Sequence, residues 1–144
     1  IEVFELGMFQ TVQELSKRYD FPKPILFSIV LGHIGAAPAT VRTLRCMLDG
    51  LDECFPTPGD TLWGITHAHR EDFDLIGQAL ELGASTVRIG FEDSHSIEAG
   101  QVAQTTRPLV KRAAEEIRRH GLAVATPAEA RAMLHMPEKD ETKK

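Results

Sequence analysis

The 144 residues carry 42% apolar and 26% charged side chains and a formal charge of −5. That balance excludes a disordered chain, the length suits one domain with a buried core, and the absence of any basic block argues against a nucleic-acid partner. No run approaches the roughly 20 apolar residues of a membrane helix and no signal-peptide pattern opens the chain, so no membrane partner is expected. Two cysteines, Cys46 and Cys54, fit a reducing compartment, and a cytoplasmic location is expected. The chain opens on Ile1 inside a strand-like run, which leads to the expectation that it begins within a larger protein.

Strand-like and helix-like stretches alternate four times. Residues 1–6, IEVFEL, read as a strand broken by Gly7, and residues 8–19 follow as a helix with Phe9, Val12, Leu15 and Tyr19 on one face. Pro22 and Pro24 introduce a second strand, whose apolar run from Ile25 to Leu31 fits a strand covered on both faces, as in a parallel sheet. Val41, Leu44, Met47 or Leu48, and Leu51 stripe a second helix at 39–51, and a Pro/Gly loop leads to a third strand, TLWGITHAH, at 61–69. A third helix is expected over 70–84, with an acidic start suited to the positive helix end and Gly83 closing it. A fourth strand, STVRIGF, spans 85–91, and a fourth helix spans 105–122 with Gly121 as its stop and its alternating charges on a solvated face. A short extended piece then leads to a last helix capped by Thr126, with Pro127 first and Glu129 three after the cap. The polar residues 137–144 read as a frayed tail.

This alternation predicts a parallel α/β fold, either an open doubly wound sheet or a barrel. No G-x-G-x-x-G follows the first strand, which counts against a dinucleotide fold. Polar residues gather at the C-terminal strand ends, at Gly32-His33, His67-Ala68-His69 and Glu92-Asp93, where (β/α)8 barrels place their chemistry. A full barrel runs about 250 residues, so four βα units over 1–136 predict half of one. Half a barrel leaves two open sheet edges, so association with the missing half, or a homo-oligomer, is expected.

The fourth strand raises the question of chemistry: TVRIGFEDSH carries an arginine and ends on two adjacent carboxylates. Alternation puts Arg88, Gly90 and Glu92 on one face, toward the inside of a barrel, and Val87, Ile89 and Phe91 on the other. Glu92 and Asp93 repel each other beside low-dielectric walls, and a metal ion or Arg88 would relieve that. The plainer reading is an Arg88–Glu92 ion pair with Asp93 on the surface.

TVRIGFED, followed about 30 residues later by VATPAEARAML, resembles the β-keto acid cleavage enzymes. FSIVLGHIGAAPAT resembles their turn after the sixth barrel strand, TLWGITHAHREDFDLIGQALELGAS their seventh strand and helix, and IEVFELGMF their fifth strand. The likeness covers residues 1–136 but only the C-terminal half of a typical member. It implies a zinc-dependent (β/α)8 enzyme that converts a β-keto acid and acetyl-CoA into acetoacetate and a new CoA ester. It places Glu92 as a metal ligand, Asp93 as the catalytic aspartate and Arg88 as the arginine that orients it. The family's other metal ligands, a His-x-His pair on an early strand, lie outside this sequence, and Ser94 stands where asparagine usually follows the E-D pair. Arg70 keeps the place of a family arginine, while His67 and His69 are additions.

Taken as two apart on one strand face, His67 and His69 reach toward Glu92, and two imidazoles with a carboxylate are a zinc set with an open position. The alternative is that they line the pocket and meet the CoA chain or solvent. Gly32, His33 and Gly35 either touch the CoA through backbone N–H groups or form a tight turn. His95 is a loop residue or a weak ligand, and His120 and His135 near helix ends read as structural. Neither cysteine has a base partner, so nucleophilic catalysis through them is not expected. The metal is zinc or another divalent ion, since one carboxylate selects weakly. Rival readings are a different metal-dependent barrel lyase or aldolase, and a silent half-barrel that needs a partner chain. Without the other half, this chain alone is expected to be inert.

Overall fold

A computed structural model describes residues 1–137. The elements run β1 (Glu2–Val3), α1 (Gly7–Ser16), β2 (Ile25–Leu31), α2 (Val41–Cys54), β3 (Thr61–His67), α3 (Asp74–Glu81), β4 (Thr86–Arg88), β5 (Ser96–Glu98), β6 (Gln101–Val102), α4 (Thr106–Arg119) and α5 (Pro127–Met133). β1 to β4 form one sheet in that order, every neighbouring pair parallel. Consecutive parallel strands with a helix at each crossover are the arrangement the alternation predicts, and they are consistent with half of a TIM barrel. No helix among the described residues is long and apolar enough to cross a membrane.

The two faces of the sheet differ. Val3, Phe27, Ile29, Leu31 and Ile65 share a buried cluster with Phe9 and Val12 of α1, Leu44, Met47 and Leu51 of α2, and Leu75, Ile76 and Ala79 of α3. The opposite face carries Glu2, Ser28, Thr66 and Arg88, with the Ser28 and Thr66 hydroxyls 3.0 Å apart. β2 is therefore covered on one face only at Leu26 and Ser28, which stay half-buried, rather than on both faces throughout. Helices cover one side of the sheet, and the other carries these polar groups beside half-buried Leu26 and buried Val30, an arrangement consistent with half of a TIM barrel.

Several boundaries differ from the sequence reading. β1 is two residues long, so the second half of α1 has little sheet beneath it, and Leu15 and Tyr19 of the expected stripe are exposed. α3 starts at Asp74 rather than at residue 70, because the Asp72 carboxylate accepts the Asp74 N–H at 3.0 Å and holds the preceding residues in a loop. β4 ends at Arg88, since Gly90 opens a turn in which its carbonyl accepts the N–H groups of Asp93 and Ser94, both at 3.1 Å. The antiparallel hairpin β5–β6, closed through Gly100 at φ +79°, occupies a stretch to which the sequence pattern assigns no element. The Thr126 capping box forms in full, with the Thr126 N–H donating to Glu129 Oε2 at 2.7 Å and the Glu129 N–H donating to Thr126 Oγ1 at 3.3 Å. From residue 138 onward the expected tail lies outside the described residues.

α4 does not present its charges only to solvent. Glu116 is buried against α3, where the missing side chain of Gly77 leaves room for it and for His120. Arg112 Nη1 donates to Glu116 Oε2 at 2.6 Å, and His120 Nε2 and Arg119 Nη1 lie 3.2 and 3.4 Å from its oxygens. Burial pushes the Glu116 carboxyl up, but Arg112, His120 and Arg119 outweigh it and hold it below the usual range. A depressed value in the folded state stabilises the fold above the ordinary glutamate range and is lost as pH falls through the folded value. Glu116→Gln is expected to lower stability at pH 7 by about 1–2 kcal/mol. Urea unfolding should show the deficit fading once Glu116 itself protonates.

Candidate functional site

The turn after β4 folds Asp93 back over the end of its own strand. There one guanidinium meets three carboxylates. Arg88 Nη1 lies 2.6 Å from Glu2 Oε1, Nη2 lies 2.6 Å from Glu92 Oε2, and Nε lies 3.2 Å from Asp93 Oδ2. Glu2 comes from β1, on the far side of the sheet, so Arg88 spans the polar face.

The two adjacent carboxylates have opposite environments. The Asp93 side chain is 1% exposed and that of Glu92 is 78% exposed. The plainer sequence reading is therefore half right: the Arg88–Glu92 ion pair exists, but Asp93 is buried rather than on the surface. Burial pushes the Asp93 carboxyl above its ordinary value; Arg88 works against that, Glu92 adds to the rise, and His33 and Arg70 oppose it. Neither Asp93 oxygen accepts a hydrogen bond among the described residues. A buried carboxylate with free lone pairs, steadied by an arginine, has the properties of a general base.

The loop after β3 lies against this turn. The His69 N–H donates to the Asp93 carbonyl at 2.7 Å, and Ser94 Oγ donates to the Arg70 carbonyl at 2.6 Å. Arg70 is 2% exposed. Burial lowers its pKa and the charge of Asp93 works against that.

His67 and His69 do not share a face, because β3 ends at His67. His67 follows the alternation of Ile65 toward the helices, half-buried, with Nδ1 unpartnered among the described residues; burial, and then Arg70, push its pKa down, with Asp72 working against them. His69 has left-handed backbone, φ +54°, is exposed, and sets its ring edge-on to His33 at 5.7 Å. Among the described residues no three His, Cys, Asp or Glu side chains are arranged to hold a metal. Of the two readings of these histidines, the zinc set of His67, His69 and Glu92 is not assembled among the described residues.

Gly32, His33 and Gly35 form the mouth beside this loop. Gly32 and Gly35 have φ +87° and +85°, and the Gly32 N–H donates to the Ala37 carbonyl at 2.9 Å, so this amide serves the turn. A Cβ on Gly32 would meet the Ala68 carbonyl oxygen at 2.8 Å. Gly32→Ala is expected to cost about 1–3 kcal/mol from backbone strain and to displace the loop that carries His69, which thermal unfolding and the His69 amide signal would report. His95 stacks on Phe91, ring centroids 4.5 Å apart, and His135 Nδ1 lies 3.0 Å from the Lys23 carbonyl, which ties α5 to the start of β2.

The sequence model of the beta-keto acid cleavage enzyme family matches residues 1–136. The chain belongs to the β-keto acid cleavage enzyme family. It is 31% identical over 133 residues to the 3-keto-5-aminohexanoate cleavage enzyme of Acetoanaerobium sticklandii, a match that takes in 92% of this chain and 46% of that enzyme. It is 34% identical over 136 residues to the enzyme of the same name from Fusobacterium nucleatum, taking in 94% of this chain and 47% of that one. Against the 3,5-dioxohexanoate:acetyl-CoA acetone transferase of Paraburkholderia graminis the identity is 36% over 107 residues, 74% of this chain and 33% of that enzyme. The chain spans about half the length of the first two of these relatives.

The zinc that this family resemblance implies does not find a complete site here. Glu92 offers one exposed carboxylate, already paired with Arg88, and one donor does not make a zinc site. Of the residues of the site, Glu2 is not singled out by the sequence and Arg70 is named there without a role. Glu2 sits 86 positions from the arginine it meets, and no local pattern marks that pairing. Arg70 had a signal, its place in the family pattern, but a buried arginine is not what its residue type leads one to expect.

Proposed function

We propose that this chain supplies the C-terminal half of a (β/α)8 barrel, β1 to β4 being its fifth to eighth strands. In the complete protein the site would catalyse acetyl-CoA-dependent cleavage of a β-keto acid. The balance is R–CO–CH2–COO⁻ plus acetyl-CoA giving acetoacetate plus R–CO–SCoA: the CH2–COO⁻ unit leaves the acyl group R–CO and joins the acetyl group, and CoA passes to R–CO. Asp93 is the base that takes a proton from the carbon between the two carbonyls, and Arg88 favours its ionised form against the effect of burial and aims it. The observation that carries this reading is the burial of Asp93 against Arg88 at the C-terminal ends of parallel strands, where barrels hold their chemistry. The names of the relatives, which act on keto acids and acetyl-CoA, support it.

Glu92 is the one ligand this chain would offer to zinc or another divalent ion, the rest coming from residues outside it. His33, with the Gly32 and Gly35 turn, is the part of the mouth that would meet the CoA. The open edges of β1 and β4 would be closed by the other half of the barrel, with further copies of the protein as neighbours in an oligomer. Two free thiols among the described residues fit work in the cytoplasm.

The test incubates the complete protein with β-keto acids, with and without acetyl-CoA, and follows acetoacetate and new CoA esters by mass spectrometry. Formation of both products only with acetyl-CoA is expected, and the 144-residue chain alone is expected to be inert. Cleavage that ignores acetyl-CoA would assign a lyase or aldolase instead.

A further inference from the structure

We propose that Arg70 is a positioning residue: it locks the loop after β3 onto the turn after β4 and thereby fixes Asp93 against Arg88. The proposal rests on the reading of Asp93 as the base.

Arg70 is one of the largest fully buried side chains of the protein. A buried guanidinium is costly; among the described residues Nη2 alone of this one has a hydrogen-bond partner, Nε and Nη1 being buried without one, and that single bond with the stack on Phe73 forms a tie. Its Nη2 donates to the Ser96 carbonyl at 3.1 Å. Its own carbonyl accepts from Ser94 Oγ at 2.6 Å, and that same hydroxyl accepts from the Ser96 N–H at 3.1 Å. One residue earlier, the His69 N–H holds the Asp93 carbonyl at 2.7 Å. These bonds grip Asp93 itself, the residue after it, and the start of β5.

The other side of Arg70 is equally fixed. Its Cζ lies 4.6 Å from the centroid of Phe73, a ring that is 1% exposed and that also receives Arg112 of α4 at 4.6 Å. The tie thus runs from the Asp93 turn, through Arg70 and Phe73, to the helical layer. Without the side chain the turn would keep its main-chain bonds and the Arg88 ion pairs, but the loop after β3 that supplies two of those bonds would lose its anchor to Ser96 and to Phe73. A base displaced by about 1 Å loses much of its rate, so the tie bears on turnover rather than on substrate affinity. A lysine would keep the charge but neither the planar stack nor the directed bond to Ser96.

The experiment uses the complete protein with Arg70→Met, Arg70→Lys and Ser94→Ala. For Arg70→Met that remains folded by circular dichroism, kcat should fall about 10- to 100-fold while KM changes less than about 3-fold, and the His69 amide should lose protection in hydrogen exchange. Arg70→Lys should regain part of kcat, and Ser94→Ala, which keeps the guanidinium, should show the same signature at smaller size. Wild-type kcat or unchanged His69 protection in folded Arg70→Met would overturn the proposal, as would a loss confined to KM. If Arg70→Met does not fold, Ser94→Ala decides, and wild-type behaviour in it overturns the tie. A wild-type protein with no activity on keto acids would sink the reading of Asp93 as base, while the His69 amide would still report whether Arg70 holds the turn.

Discussion

Asp93→Asn in the complete protein is expected to lower turnover of the β-keto acid by about 10²- to 10⁴-fold, the usual contribution of a positioned general base, without destabilising the fold. The second half of this expectation distinguishes loss of the base from loss of structure. Asp93 is buried and its oxygens accept no hydrogen bond among the described residues, so the folded state disfavours its charge despite Arg88. Its carboxyl is raised above the ordinary value. The stability it contributes is therefore fully present below the ordinary carboxylate range and lost as pH rises through the folded value. Above its folded value the wild type bears the cost of an ionised buried group and the amide does not. The melting temperature of Asp93→Asn at pH 7 should equal or exceed that of the wild type, the difference closing as pH falls and Asp93 protonates. A variant that is inactive because it is unfolded would show the reverse.

Arg88→Met is the second large effect, and it should damage both stability and rate. Removing the guanidinium leaves Glu2, Glu92 and Asp93 facing one another with no counter-charge among their three contacts. Glu2 and Glu92 relax into solvent, but Asp93 cannot. Breaking a fully buried pair costs about 3–5 kcal/mol. Arg88 is 35% exposed and its field is screened, so about 1–3 kcal/mol is expected here. Turnover should fall about 10²-fold at pH 7, because the carboxyl of Asp93, already raised, loses the group that most opposes the rise. The base must be ionised to act. The acid limb of the rate profile should therefore move to higher pH, and the activity of Arg88→Met should recover as pH rises.

The alternation of strand and helix was legible because each period is local. Leu44, Met47 and Leu51 are the buried face of α2, and Thr126 and Glu129 form the capping box their spacing announces. Arg88, Glu92 and Asp93 were legible as a group, since one short stretch contains all three. Their roles in space were not. Alternation extended β4 through Glu92, whereas Gly90 turns the chain and exchanges the burial of the two carboxylates. The same limit misplaced His67 and His69: parity holds only while a strand lasts, and β3 stops at His67. Contacts between distant strands, such as Glu2 with Arg88, and the burial of Arg70 depend on how the layers close, which no local period encodes.

The most direct measurement is hydrogen–deuterium exchange at the carbon between the carbonyls of a β-keto acid, followed by NMR in D2O with the complete protein and no acetyl-CoA. This isolates proton removal from every later step. Exchange should be accelerated by the wild type, fall to the uncatalysed rate with Asp93→Asn, and be slowed with Arg88→Met. Exchange by Asp93→Asn as fast as by the wild type would contradict the account, because the proton would then leave to some group other than the buried carboxylate beside Arg88.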